Sequence, residues 1–411
     1  MNLKYKIHTL IFSLLLNAIT FATAFSNKEI SDFLELMNCK LPNVIDKCTD
    51  LNNQFSKVQL LENGGPSFIN SVYLISLKNG EELIIKVGNP IWKGNKTQNE
   101  VSALKFLKAN TTIPVPNVLA YENDVNQSLI NNEYIIMPRI PGNPLNKEID
   151  RIYKNKNIYY GILDQLAGFI VQLKNFQFPS IGNFRNYEGK DLEIGGIVDF
   201  ANYEITDSCT SYSQYAWHSL NFYIKEMEVL LKKESQDSKL YEKYIPILRD
   251  FLATNDFRCL NEKKFFVFSH QDLVMKNILV NEDKITAILD WEWSGSALME
   301  NESMTGFDFL LAKEDKIYFA NALENLGVSN FFDPPPVQRQ LFYQLLGDIY
   351  TLVACREWKE GKLEHTAKFL NQKLEQRKIR NDPNFDIESF LLTVSQNIDQ
   401  CILDFSNHSH N

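Results

Sequence analysis

Positive charge is what this sequence lacks for one whole class of partner. Its 42 Lys and Arg stand against 51 Asp and Glu over 411 residues, a net charge of −9. A nucleic-acid surface needs clustered basic side chains, so no nucleic-acid partner is expected, while a small cationic ligand is compatible. Cysteine is sparse too: Cys39, Cys48, Cys209, Cys259, Cys355 and Cys401 show no paired metal-site spacing. Their even number permits disulfides in an oxidising compartment, and Cys39 and Cys48 form the nearest local pair. There is no internal repeat and no low-complexity linker. No apolar run reaches the ~20 residues that a membrane span requires, so no stable span is expected. What remains is a globular chain, 44% hydrophobic, able to bury a core in one large or two moderate lobes.

The N-terminus carries Lys4 and Lys6, an apolar run from Leu10 to Leu16, and the small residues Ala22-Thr23-Ala24. That order reads as a secretory signal peptide over residues 1–24. The alternative, a buried first helix or an anchor, is opposed by Asn17 and Thr20, which interrupt the run. The expected location is the secretory pathway or the cell exterior, with the cytoplasm as the alternative if the segment is not cleaved. Sequons at Asn95, Asn110, Asn126, Asn301 and Asn407 fit glycosylation, though in so Asn-rich a chain several arise by chance.

A helical extension spans residues 25–57: Ser26 can cap, Glu29 follows three residues on, and Ile30, Phe33, Leu34 and Met37 share a face. From Val58 to about Met137 the texture is strand-like, with SVYLISLKNGEELIIKV reading as a hairpin around Asn79-Gly80. One helix interrupts it over Glu100 to Lys108, ended by Pro114 and Pro116. Beyond Pro141-Gly142 the pattern becomes mostly helical, with apolar stripes at Ile158–Leu173, Leu220–Leu231, Leu341–Leu352 and Phe390–Ile402. The Gly- and Asn-rich stretch from Ser180 to Ser213 shows no clear period and reads as an ordered loop or lid.

FSHQDLVMKNILVNEDKITAILDWEW, residues 268–293, concentrates the chemistry. His270, Asp272, Asn277 and Asp290 fall at strand ends, where a side chain faces a cleft rather than a core. Phosphoryl transfer uses such a set. Asn277 and Asp290 supply the oxygen ligands that hard Mg²⁺ prefers, and Asp272, five residues before Asn277, supplies the base for an attacking hydroxyl. His270 reads as a brace for the loop. Lys86, in the apolar strand LIIKV, would be costly if buried alone, and Glu100 is its candidate partner. The loop Asn63-Gly64-Gly65-Pro66-Ser67 has backbone N–H groups able to cover phosphates, although it lacks GxGxxG.

In this order the motifs resemble the aminoglycoside phosphotransferase and choline kinase family, over about residues 58 to 310. GGPSFINSVYLI resembles that family's first loop and strand, IIKV its lysine strand and NEVSALKFL its helix with the ion-pair Glu. IPVPNVLAY, YIIMPRIPGNPL, HQDLVMKN and ILDWEW follow in the family's order. The resemblance implies a bilobal, protein-kinase-like α+β fold. Its small antiparallel β-sheet N-lobe with one helix (58–138) would bind ATP, and its larger, mainly helical C-lobe (139–411) would carry the catalytic loop, metal and acceptor sites. It implies that Lys86, Glu100, Gly64 and Gly65 handle ATP phosphates, that Met137 lies at the hinge beside adenine, that Asp272 is the base, and that Asn277 and Asp290 bind Mg²⁺.

Two departures stand out. Gln271 occupies a position where Gly is common, and DWE replaces the DFG of protein kinases, which argues against a protein substrate. Glu292 has three readings: acceptor binding, a second Mg²⁺, or a hydrogen bond to a neighbouring loop. Trp291 and Trp293 read as core, or one as part of a cage for a quaternary ammonium. Asp199, Glu204 and Asp308 would neutralise an aminated acceptor, or are solvated loop acids. The expected activity is ATP- and Mg²⁺-dependent transfer of the γ-phosphoryl group to a small-molecule hydroxyl. The alternative is a secreted nucleotide- or ligand-binding protein on the same scaffold, without catalysis.

Overall fold

The structure, a computed structural model, describes residues 55–61, 70–88, 95–128, 132–189, 191–198, 204–205, 207–232, 238–260, 265–299, 307–359 and 387–409. The signal-peptide segment, the helix expected from Ser26, the Gly64-Gly65 loop, Cys39, Cys48, Asp199 and Asn301 lie outside the described residues.

The chain divides into two compact units, the first comprising residues through Gln177, Gly182–Val198 and Val267–Phe331. It opens with an antiparallel sheet in the order β1-β2-β3-β5-β4, formed by β1 (Phe55–Leu60), β2 (Asn70–Leu77), β3 (Glu82–Gly88), β4 (Ala120–Glu122) and β5 (Glu133–Pro138). The expected β2–β3 hairpin is present. Tyr73, Ile75 and Leu77 alternate into the core, and Gly80 takes φ +90° at the turn, a conformation open to a residue without Cβ. The Asn79 side chain accepts from the Glu81 N–H at 3.0 Å, which locks that turn. Lys86 pairs with Val72 on one side and Ile135 on the other.

Helix α1 (Asn95–Asn110) is longer at its start than the sequence pattern suggested. Val101, Leu104 and Leu107 are buried as expected, but so are Ala103, Phe106, Lys96, Asn99 and Glu100. A helix enclosed on most sides shows little amphipathic contrast, so polar residues of its first turns read from sequence as solvent-facing. Helices α2 (Leu145–Lys154) and α3 (Lys156–Lys174) follow, the second matching the Ile158–Leu173 stripe.

The stretch expected to be a loop contains a hairpin, β6 (Gly182–Glu188) with β7 (Asp191–Ile194). Side-chain bonds rather than apolar alternation hold it. Asn183, 4% exposed, donates to Ser294 O at 2.8 Å and accepts from Val198 N–H. Asn99 Oδ1 accepts from Phe184 N–H at 2.7 Å. Strand β8 (Phe266–Ser269) and the β9 (Ile278–Asn281) and β10 (Lys284–Ile288) hairpin flank the chemistry-bearing loop as expected. Strand β11 (Gly295–Ala297) then joins β8 to β6.

The second unit comprises Phe178–Ile181, Asp199–Phe266 and Phe332–Asn411. It is mainly helical: α4 (Tyr212–Lys232), α5 (Ser238–Thr254), α7 (Val337–Lys359) and α8 (Ile387–Ser409), with α6 (Lys313–Asn325) belonging to the first unit. Phe251, Phe257, Phe342 and Phe405 form its aromatic core. The expected class, α+β with a small antiparallel sheet and one helix ahead of a mostly helical remainder, is the class observed. No helix among the described residues is long and apolar enough to cross a membrane.

Candidate active site

All described residues singled out for catalysis lie in the first unit. Lys86, on the central strand β3, points its ammonium into three carboxylates: Asp290 Oδ1 at 2.6 Å, Glu100 Oε2 at 2.7 Å and Glu292 Oε2 at 3.0 Å. Burial would lower its pKa, but Asp290, Glu100 and Glu292 outweigh that and hold it well above the ordinary 10.5. Burial pushes Glu100 up to about 7 against the pull of Lys86. Burial alone would raise Asp290 as well, yet the ammoniums of Lys86 and Lys276 hold it at about 2. Carboxylate oxygens of Glu100, Asp290 and Glu292 approach one another within 4.8 Å, the spacing of a metal cluster. The cation at their centre is the Lys86 ammonium.

Asp272 and Asn277 sit together on the loop between β8 and β9. The Asn277 amide donates to the Asp272 carbonyl at 2.9 Å and to its Oδ2 at 3.0 Å, so Asn277 Oδ1 is the atom left for a cation. Lys276 Nζ lies 3.3 Å from the same Asp272 oxygen. Two bonds through one residue bring this pair to Asp290: Leu289 N–H donates to Asn277 O at 2.8 Å, and Leu289 O meets His270 Nε2 at 2.9 Å. His270 Nδ1 accepts from Asp272 N–H at 3.2 Å. With Nδ1 an acceptor, Nε2 carries the proton and donates to Leu289. His270, fully buried, therefore braces the loop, as expected from sequence.

Backbone conformation sharpens the picture. Gln271 and Asp290 adopt φ +64° and +65°, the left-handed region that favours glycine. This is the physical reason Gly suits position 271. Here the Gln271 side chain compensates by donating to Trp293 O at 3.0 Å.

Met137 lies on β5 opposite Ile84 and is buried. Glu292 Oε2 takes Asn70 Nδ2 at 2.6 Å and Lys96 Nζ at 3.1 Å, in addition to Lys86. Trp291 is core, packed on Phe268 and His270. Asp308 accepts from Met275 N–H at 2.7 Å and so clamps the catalytic loop. Sequence reasoning missed Asn70, Lys96, Asn99 and Lys276. Only the position of Lys276, inside the HxDxxxxN spacing, gave a usable signal.

Comparison with known proteins shows the family of the chain. The sequence profile of the phosphotransferase enzyme family matches residues 62–302. Among curated relatives, a subtelomeric hrmA-associated cluster protein of Aspergillus fumigatus is 30% identical over 150 residues, 36% of this chain and 26% of that protein. The mitochondrial altered inheritance of mitochondria protein 9 of Candida dubliniensis is 30% identical over 150 residues, 34% of this chain and 23% of its own length. The chain thus spans well under half the length of the curated relatives it matches. Solved structures that resemble it include an ADP-bound aminoglycoside phosphotransferase, APH(2'')-Ib, with 12% identity, TM-score 0.48, and coverage of 89% of this chain and 99% of that one. A macrolide 2'-phosphotransferase of Brachybacterium faecium has 14% identity, TM-score 0.42, and coverage of 84% and 99%. With more than half of its residues inside the matched profile, and with the profile's span enclosing Lys86, Glu100, Asp272, Asn277 and Asp290, the chain belongs to the phosphotransferase enzyme family.

Proposed function

We propose that this protein is an ATP- and Mg²⁺-dependent small-molecule kinase that phosphorylates a hydroxyl of an aminoglycoside-like or amino-alcohol acceptor. The observation that carries the reading is the joining, through Leu289, of the Asp272–Asn277 pair to Asp290, itself bound to Lys86 and Glu100. Asn277 Oδ1 and Asp290 Oδ2 are oxygen donors of the kind Mg²⁺ takes, and both remain after the bonds described above. When bound, Mg²⁺ would supply charge neutralisation on the phosphates.

The side chains of this chain do the rest. Lys86, oriented by Glu100, binds phosphate oxygens of ATP. Asp272 Oδ2 is fixed by Asn277 and Lys276, leaving Oδ1 to accept the proton of the acceptor hydroxyl. The hydroxyl oxygen forms a bond to the γ-phosphorus as the bond to the ADP oxygen breaks, and the proton resides on Asp272 until released to solvent. Asp308 and His270 hold the loop in place during this exchange. The catalysis-free alternative is not favoured, because Asp272, positioned as the base by Asn277 and Lys276, would serve no purpose in it.

The test is Mg²⁺-dependent ATP turnover by the full chain against amino sugars, choline, ethanolamine and other hydroxylated metabolites, with Asp272→Asn alongside. Turnover with one acceptor class that falls about 100-fold or more in the variant supports the reading. Turnover unchanged in Asp272→Asn overturns the assigned base.

A further inference from the structure

Glu292 is a carboxylate that the reaction as described does not use, yet it is 2% exposed and carries as many side-chain partners as Lys86 beside it. A single oxygen, Oε2, accepts from Asn70 of β2 at 2.6 Å, Lys86 of β3 at 3.0 Å and Lys96 of α1 at 3.1 Å. Lys96 is itself 1% exposed and holds Asn70 Oδ1 at 2.6 Å. The next turn of the same helix adds Asn99, whose amide donates to Glu292 O and Ser294 O, both at 2.8 Å. Lys96, Asn99 and Glu100 fall at spacings that share one helix face. That face is fastened to the segment following Asp290.

The difficulty lies with Lys86. Its ammonium is divided among three carboxylates, and to reach a triphosphate it must release some of them. Releasing Glu292 would leave a buried anion without a counter-charge, a heavily penalised state, unless another cation stays behind. Lys96 is that cation, placed on the same oxygen and reinforced by Asn70. We propose that Lys96 is a positioning residue: the resident counter-ion of Glu292, it frees Lys86 to move from its carboxylates to the phosphates of ATP. This role rests on the kinase reading above and adds to it a second lysine that touches no substrate.

The experiment is calorimetric titration of ATP with Mg²⁺ into the full chain, as wild type, Lys96→Met, Lys96→Arg, Glu292→Gln and the double variant Lys96→Met/Glu292→Gln, with kcat and KM measured in parallel. Lys96→Met is expected to weaken ATP binding about tenfold or more, seen in KM for ATP more than in kcat, because Glu292 then retains Lys86. Lys96→Arg keeps the charge and should bind ATP nearly as wild type. Removing the carboxylate as well makes Lys96 dispensable, so the double variant should match Glu292→Gln. A merely structural Lys96 would not be rescued in this way. Should Lys96→Met fail to fold, the comparison of Glu292→Gln with the double variant decides: equal affinities support the role, and a further loss in the double variant overturns it. Wild type that binds ATP together with a Lys96→Met variant of equal affinity overturns this inference alone. Wild type without ATP affinity overturns the kinase reading and the role together.

Discussion

At the scale of single residues, Glu100 sets a conflict between activity and stability. Its carboxyl must be ionised to hold Lys86, but burial places its titration at about 7 rather than the ordinary 4.5. As pH falls through about 7, Glu100 takes up a proton and loosens Lys86, so kcat/KM for ATP should decline on the acid side. Glu100→Gln should lower kcat/KM and abolish that inflection. Stability runs the other way. A raised folded-state pKa gives a contribution present below 4.5 and lost as pH rises through about 7, so wild type should lose thermal stability over that window relative to Glu100→Gln. Melting curves of both proteins across the window check the sign. Gln271 offers a second test. Its φ of +64° suits Gly and opposes a β-branched residue, so Gln271→Gly should remain within about 1 kcal/mol of wild type while Gln271→Val loses about 2 kcal/mol. Chemical denaturation distinguishes them.

At the scale of elements, helix α1 joins the sheet to the segment after Asp290 through polar bonds. Asn99 is fully buried. Its amide satisfies Glu292 O and Ser294 O, and its carbonyl satisfies Phe184 N–H. Asn99→Leu, similar in branching, leaves Glu292 O and Phe184 N–H without Asn99 while Ser294 O keeps its bond from Asn183, and should cost about 3 kcal/mol, read as a lowered denaturation midpoint. This same junction marks where the sequence stopped being legible. Periodicity found the β2–β3 hairpin, the strand carrying Met137 and the four long apolar stripes, because each buries an alternating or helical set of side chains. The spacing of His270, Asp272, Asn277 and Asp290 marked a candidate reactive loop, and the structure joins these residues through Leu289 and the Asp272–Asn277 bonds. Lys96 and Asn99 escaped notice because their burial depends on partners nearly 200 positions away, at Glu292 and Ser294. The β6–β7 hairpin escaped for a related reason: Asn183 anchors it by side-chain bonds that leave no apolar period. Helix α5 carries Pro246 in its interior, a residue that ordinarily marks a helix end.

At the scale of the whole molecule, the proposed ATP binding would add to folding stability by mass action. A hundredfold excess of ATP over its Kd should stabilise the protein by about 2.7 kcal/mol, measured as a shift in thermal midpoint with Mg²⁺ present. The proposed export of the chain has its own check: N-terminal sequencing of the protein from its native source should begin after Ala24, and an intact Met1 removes the proposal. The crowding of carboxylates around Lys86 has one further consequence, for chemical modification. Acylating reagents attack only an uncharged amine, and Asp290, Glu100 and Glu292 hold this lysine protonated far beyond the ordinary range. Lys86 should therefore stay unlabelled at neutral pH while exposed lysines react, so a heavily acylated preparation would still carry a native amine at the centre of its active site.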